Sequence, residues 1–255
     1  MAIRLTVLGK SPSWQDRDGA CSGYLVEAGA TRLLIDCGSG VFAKLRRLDA
    51  YERVDAVVLS HIHADHMLDL VPFSMALTYG PNLRRNGAPA LHVPPGGGAA
   101  LSAMCGAWGT PTLIDDAFEL REYDPSAELV VGDASVRFAL VPHYVPSYAI
   151  DLRVSGAGKR LVFSADCAWN EELVELAHEA DLLLIESTLL ADPATPDPGH
   201  LSAAQAGELA RRAGARRAVL THFSDQLDPQ ELRARAEQAF GGPVELAAEG
   251  ASFTI

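Results

Sequence analysis

The run Ser60-His61-Ile62-His63-Ala64-Asp65-His66 places four metal-capable side chains, His61, His63, Asp65 and His66, within six residues. It directly follows Val54-Asp55-Ala56-Val57-Val58-Leu59, an apolar stretch that reads as a buried strand. Histidine and aspartate are seldom fully buried without partners, and neighbouring imidazoles repel one another when charged. A bound metal removes both difficulties, because neutral imidazoles and a carboxylate are good ligands. The stretch is therefore read as a metal site rather than as a solvated histidine-rich turn.

The rest of the chain suits such a site. Its 255 residues are ample for a sizeable core, and a hydrophobic fraction of 48% with 21% charged residues describes an ordinary globular protein. The net charge of -12 argues against a body that grips nucleic acid through a broad basic face. A local anion pocket remains open to it, since bound metal supplies positive charge there. No apolar run reaches the length of a membrane span, and Met1–Gly9 reads as a first strand rather than a signal-peptide core. Cys21, Cys37, Cys105 and Cys167 form no CxxC pair, which points to reduced thiols and a cytoplasmic protein.

Outward from the motif, hydrophobic periodicity and turn chemistry predict an order of elements. Strands are expected at Ile3–Leu8, Tyr24–Glu27, Thr31–Asp36, Val54–Leu59 and Ala90–Val93. Between Thr31–Asp36 and a helix at Val41–Leu48, Cys37-Gly38-Ser39-Gly40 offers two glycines for a close backbone approach. A helix from Asp65 or His66 to about Tyr79 should kink or break at Pro72, and an Ala-rich helix should end near Ala107. Gly80–Gly87 reads as a loop. Strands follow near Phe118–Tyr123, Glu128–Val131, Val136–Val141, Tyr148–Val154 and Arg160–Ser164. Then come a helix at Ala168–Glu179, a strand at Leu182–Ile185, a helix at Ser202–Ala213 with Ser202 as N-cap, and a strand at Ala218–Thr221. A helix at Pro229–Phe240 and strands at Val244–Leu246 and Ser252–Ile255 close the chain. This order suggests two similar halves, each a sheet with helices on its outer face, the sheets stacked face to face. No linker or internal repeat divides the chain, so residues 1–255 are expected to form a single domain.

Three further candidates share one context. His143, Asp166 and His222 each come just after an apolar run, and loops at strand ends are where scaffolds carry sites. Together with His61-Ile62-His63-Ala64-Asp65-His66, in this order, they make the sequence resemble the metallo-β-lactamase superfamily of hydrolases. Asp36-Cys37-Gly38-Ser39-Gly40 also looks like that superfamily's first motif. The resemblance implies an α/β four-layer αββα sandwich, one metallo-hydrolase domain over 1–255, and two divalent metal ions. It implies that His61, His63 and His143 hold one metal, that Asp65, His66 and His222 hold the other, and that Asp166 bridges them. Nitrogen and oxygen ligands without thiolates suit Zn²⁺, with Mn²⁺ or Fe as alternatives. Asp166 points away from true β-lactamases, which lack a bridging Asp at this place. Asp36 is read as supporting the site through hydrogen bonds, His92 as structural and His178 as a solvated helix residue.

Gly199-His200-Leu201-Ser202 places a histidine just before a helix N-terminus, a position that favours anions. This segment, and Glu186-Ser187-Thr188 after a strand, resemble the ribonuclease Z-like branch of the superfamily, although Ile185 stands where that branch usually has histidine. The resemblance implies that His200 assists the reacting oxygens of a phosphodiester, with Glu186 orienting it or a ligand. Ribonuclease Z proper often carries a long tRNA-gripping arm between the residues matching His143 and Asp166. Here only enough chain for a hairpin separates them, so the chain looks more like the shorter bacterial members, some of them phosphodiesterases, in which dimers are common. The expected function is a phosphodiesterase acting on a cyclic nucleotide or small phosphodiester, with Asp65 and His200 as catalytic groups. RNA is the less favoured substrate, no membrane partner is expected, and a homodimer is one expected assembly. The rivals are a thioesterase or lactonase on the same metal site, and a non-catalytic metal-binding protein. Tyr144 and Tyr148 flank the His143 loop and could stack on a base or simply pack. Asp69, one turn past Asp65, is read as either a solvated acid or a site residue.

Overall fold

The computed structural model describes residues 2–48, 51–81, 87–154, 156, 158–193 and 199–255. Among these residues the first half runs β1 (Ile3–Gly9), β2 (Gly23–Ala28), β3 (Thr31–Ile35), α1 (Val41–Arg47), β4 (Ala56–Val58), α2 (Ala64–Met67), α3 (Leu70–Tyr79), β5 (Ala90–Val93), α4 (Gly97–Gly106), α5 (Leu113–Ala117) and β6 (Glu119–Glu122). The second half runs β7 (Leu129–Val131), β8 (Ala134–Val141), β9 (Ser147–Val154), β10 (Arg160–Phe163), α6 (Glu171–Leu176), β11 (Leu182–Glu186), α7 (Ala203–Ala213), β12 (Ala218–Thr221), α8 (Pro229–Phe240), β13 (Glu245–Leu246) and β14 (Ser252–Thr254).

The strands form two seven-stranded sheets, ordered β14-β1-β2-β3-β4-β5-β6 and β13-β12-β11-β10-β9-β8-β7. Each is antiparallel on one side and parallel on the other: β3, β4, β5 and β6 run parallel, as do β10, β11, β12 and β13. The last strand departs from the simple two-halves reading, because β14 crosses back and pairs with β1 in the first sheet. Alternate residues explain the apolar runs. Tyr24 and Val26 of β2, Leu33 and Ile35 of β3, and Ala56 and Val58 of β4 point into the core between the sheets, with Phe138, Ile150 and Phe163 among their opposite numbers. Leu25, Leu34 and Val57 point the other way, into a second core beneath the helices, with Phe42 and Phe73. A third core lies between the second sheet and α6, α7 and α8. The result is the α/β four-layer sandwich of the metallo-β-lactamase fold. No helix among the described residues is long and apolar enough to cross a membrane.

This topology brings the site together. The parallel strands β3 and β4 end at one edge of their sheet, delivering Asp36 and Ser60–His66, and β10, β11 and β12 likewise deliver Asp166, Glu186 and His222. The buried Tyr24 hydroxyl lies 2.7 Å from Thr221 Oγ1 and ties the two sheets just beneath. The backbone N–H of Tyr148 donates to the Ser60 carbonyl at 3.1 Å, a second cross-sheet tie.

Several local differences have physical causes. The helix expected from Asp65 to Tyr79 is two helices, broken at Leu68–Asp69. Pro72 occupies the first turn of α3, where its missing N–H costs nothing. Asp69 holds the break: its N–H donates to the Cys37 carbonyl, and its carboxylate accepts the Phe42 N–H at 2.8 Å, tying the start of α1 to the metal motif. It is thus neither a solvated acid nor a member of the histidine cluster. Helix α6 is shorter than the expected Ala168–Glu179, because Asn170 caps it by accepting the Leu173 N–H at 2.8 Å. Helix α5 and a 3₁₀ turn at Tyr51–Arg53 carry too little periodicity to be read from sequence. Residues 82–86 of the Gly80–Gly87 loop lie outside the described residues.

The glycines of Cys37-Gly38-Ser39-Gly40 are both required. Gly40 adopts a φ of 92°, and a Cβ on Gly38 would run into the carbonyl oxygen of Asp65. Gly38→Ala is therefore expected to lower stability by about 1–3 kcal/mol, read from urea unfolding. A change within the error of the parent would show that the two segments are not in close contact.

Candidate metal centre

Seven side chains converge at the strand ends. The ligand atoms of His61, His63 and His143 lie within 4.8 Å of one another, and so do those of Asp65, His66, Asp166 and His222. Asp166 lies between the groups. Its Oδ2 is 3.9 Å from both His61 Nε2 and His143 Nε2 and 3.2 Å from His222 Nε2, while its Oδ1 is 3.3 Å from His66 Nε2. Asp65 Oδ2 is 3.3 Å from His222 Nε2 and 3.5 Å from His66 Nε2. His61, His66, Asp166 and His222 are almost wholly buried.

Five imidazoles, those of His61, His66, His143, His200 and His222, are each oriented through Nδ1. Asp36, fully buried, accepts the Ser60 N–H at 2.7 Å and the Ser60 hydroxyl at 2.8 Å. It also accepts His66 Nδ1–H at 2.7 Å. With the Ser60 hydrogen directed to Asp36, Ser60 Oγ accepts His61 Nδ1–H at 3.1 Å. On the other sheet, fully buried Glu186 does the same. Its Oε1 accepts His200 Nδ1–H at 2.9 Å, its Oε2 accepts the Thr188 hydroxyl at 2.8 Å, and Thr188 Oγ1 in turn accepts His222 Nδ1–H at 2.8 Å. His143 donates Nδ1–H to the Gly199 carbonyl at 2.8 Å. These contacts aim Nε2 of His61, His66, His143 and His222 at the centre, where a metal ion would meet their lone pairs.

The centre fits a metal. His61 Nε2 and His66 Nε2 are buried with no hydrogen-bond partner among the described residues, an arrangement that is costly unless a cation takes them up. His143 Nε2 faces His63 Nδ1 at 3.0 Å, so both nitrogens can converge on one ion. Burial, with the neighbouring histidines adding to it, pushes His61, His63 and His143 down toward the neutral form that ligates. Burial pushes the other way on the acids, yet it is outweighed. The His222 hydrogen bond and the charges of His66 and His222 bring Asp65 down to about 2, and the charges of His222 and His66 hold Asp166 well below the usual carboxylate range. His66 is raised, because Asp166 and Asp36 overcome its burial. A metal ion would displace that proton and inherit the same two carboxylates. Backbone conformation is strained here as well: Asp36, Ala165 and His222 adopt φ of 57°, 53° and 55°, unusual for residues with a Cβ.

His200 belongs to the same cluster. Its ring is 5.1 Å from that of His143 and 5.4 Å from that of His222, and its ligand atom groups with those of His143 and Asp166. The helix end after it is closed, contrary to the expectation of an anion site there. Ser202 accepts the Gln205 N–H, Gln205 reaches back to the Ser202 N–H, and the Ser202 hydroxyl donates to Asp192. The two tyrosines part company. Tyr148 is core, edge-on to Tyr123, whereas Tyr144 is 60% exposed beside His143 and His200. His92 is buried at the end of β5, away from the cluster. Ser60, Thr188 and the Gly199 carbonyl were not legible as functional. Hydroxyls and carbonyls next to ligands carry no sequence signal of their own.

A family model described as a beta-lactamase superfamily domain matches residues 31–223. The probable metallo-hydrolase YhfI of Bacillus subtilis is 30% identical, over 97% of this chain and 98% of its own. The crystal structure of YhfI matches the fold with a TM-score of 0.90, at 27% identity and full coverage of both chains. Ribonuclease Z of Myxococcus xanthus is 33% identical, over 99% of this chain and 97% of its own. With a cluster of histidines and aspartates able to bind metal at the strand ends, the chain belongs to the beta-lactamase superfamily, as one of its metallo-hydrolases.

Proposed function

We propose that this protein is a two-metal phosphodiesterase acting on small phosphodiesters such as cyclic nucleotides. One metal would be held by His61, His63 and His143 and the other by Asp65, His66 and His222, with Asp166 shared; zinc suits this donor set, with manganese or iron as alternatives. The observation that carries the reading is the His200–Glu186 pair, 2.9 Å apart and in the same cluster as the ligands. An ester or lactone hydrolase on this centre has no need of a second, carboxylate-backed imidazole.

Bound divalent ions supply Lewis acidity, acidifying water and offsetting charge on the phosphate oxygens. Asp65, whose carboxyl the neighbouring histidines hold in the ionised form, orients the attacking water or takes its proton. Attack on phosphorus is in line with the leaving oxygen. His200, with Nδ1 committed to Glu186, has Nε2 left to protonate that oxygen, and the Glu186 carboxylate stabilises the imidazolium form. The likeness to Myxococcus ribonuclease Z favours RNA 3′ processing as a second reading. Against it stand the net charge of -12 and the short path from His143 to Asp166, in which β9 and β10 are the elements among the described residues.

Metal analysis is expected to find two divalent ions per chain, and chelation should abolish activity and lower the melting temperature. Asp36→Asn should weaken metal affinity about 10–100-fold, read by competition with a chromogenic chelator. An unchanged affinity would remove the role given to Asp36. In a panel of bis-p-nitrophenyl phosphate, cyclic AMP, a tRNA precursor, a thioester and a lactone, the small phosphodiesters should be turned over best. Turnover of the lactone or thioester with no phosphodiester cleaved would sink the proposal. His200→Ala should cut phosphodiester turnover about 10²–10⁴-fold while metal content stays at the parent level.

A further inference from the structure

Tyr144 is the one large exposed aromatic side chain among the described residues that is in ring contact with the metal-centre histidines. It stands on the loop that follows β8, immediately after His143. Its ring centroid is 5.1 Å from that of His143 at 51°, and 6.1 Å from that of His200 at 68°. The hydroxyl end of the ring lies across Gly199, so closely that a Cβ there would collide with two ring carbons and the hydroxyl oxygen. Gly199 is also the residue whose carbonyl orients His143. Tyr144 is therefore held against the backbone of the catalytic loop, yet 60% of it faces solvent. Tyr148, four residues on, is buried in the core, so of the two tyrosines that flank this loop only Tyr144 offers its ring to solvent beside the histidines.

The wall around it is apolar. Leu140, Val141, Pro142, Val145 and Pro146 line, with Tyr144, His143 and Glu172, a cavity of about 470 Å³ that meets the metal centre at His143. The lining holds one acid and no lysine or arginine, so it suits a flat uncharged group rather than a second phosphate.

We infer that Tyr144 is a specificity-determining residue, the platform on which the base of the nucleoside that carries the leaving oxygen stacks. This rests on the phosphodiesterase reading above. Tyr144 neighbours His200, the group assigned to the leaving oxygen, so the part of the substrate it meets is the part that departs. Gly199 has no side chain because the platform occupies that space. The position demands a glycine for a reason separate from backbone conformation, since its φ is not in the left-handed region.

The test compares a dinucleoside monophosphate with its counterpart carrying an abasic sugar in the leaving position, both with the metal-loaded protein. The parent should favour the base-bearing substrate in kcat/KM by about tenfold, the scale of one base stacked on an aromatic ring. Tyr144→Ala should bring that ratio close to one, chiefly through KM, and Tyr144→Phe should keep it. Equilibrium binding of adenosine 5′-monophosphate against ribose 5-phosphate, measured by calorimetry, reads the same preference without turnover. A ratio unchanged in Tyr144→Ala, or equal binding of the two monophosphates by the parent, overturns the inference. A parent that cleaves neither substrate yet binds adenosine 5′-monophosphate more tightly, with that preference lost in Tyr144→Ala, overturns the phosphodiesterase reading and upholds the platform.

Discussion

Two buried carboxylates hold this site in shape. Asp36, at the end of β3, fixes His66 directly and His61 through Ser60. Glu186, at the end of β11, fixes His200 directly and His222 through Thr188. In each half of the chain, then, one carboxylate and one hydroxyl relay orient two imidazoles. A neutral imidazole can donate from only one ring nitrogen, so committing Nδ1 to the carboxylate side leaves Nε2 as a lone pair. The charge of each carboxylate also raises the basicity of the ring it holds. Without these two acids the ligand atoms would still be near one another, but their tautomers and orientations would be undetermined.

The fold is built to bring those carboxylates to one edge. Parallel pairing in one half of each sheet puts the ends of β3 and β4, and of β10, β11 and β12, at a common edge. The strands are apolar on both faces because each sheet is covered by its partner on one side and by helices on the other. What emerges at their ends is therefore the first polar chemistry the chain meets after a dry interior. That placement keeps the local dielectric low, which strengthens every interaction in the cluster. The strained φ values at Asp36, Ala165 and His222 mark where the chain turns sharply from strand to site. The close fit of Gly38 under Asp65, and the Asp69 link to α1, brace the His61–His66 loop from below.

The charge distribution follows from the same design. A chain with a net charge of -12 would repel a phosphate ester from most of its surface. Within the cluster, the carboxylates of Asp36, Asp65, Asp166 and Glu186 are matched by histidines and by the metal charge the centre is shaped to accept. The helix end after His200 adds no anion site, because Ser202, Gln205 and Asp192 already satisfy it.

Much of this was legible in the amino-acid sequence. A His-x-His-x-Asp-His run after an apolar strand has little other reason to exist, and His143, Asp166 and His222 each follow an apolar run of their own. Strand periodicity then yielded the layered α/β fold, since alternation is a local property of neighbouring residues. Asp36 and Glu186 could be suspected of supporting roles from their places beside motifs. What tertiary structure alone decided depends on contacts between residues far apart in the chain. It joined β14 to the first sheet, split the helix after His66 around Asp69, closed the α7 N-terminus with Asp192, and sent Tyr148 into the core while leaving Tyr144 beside His200. It also gave Ser60, Thr188 and the Gly199 carbonyl their tasks. A hydroxyl or a carbonyl can accept from many partners, so only the packing that brings one imidazole within 3 Å or so selects which one it serves.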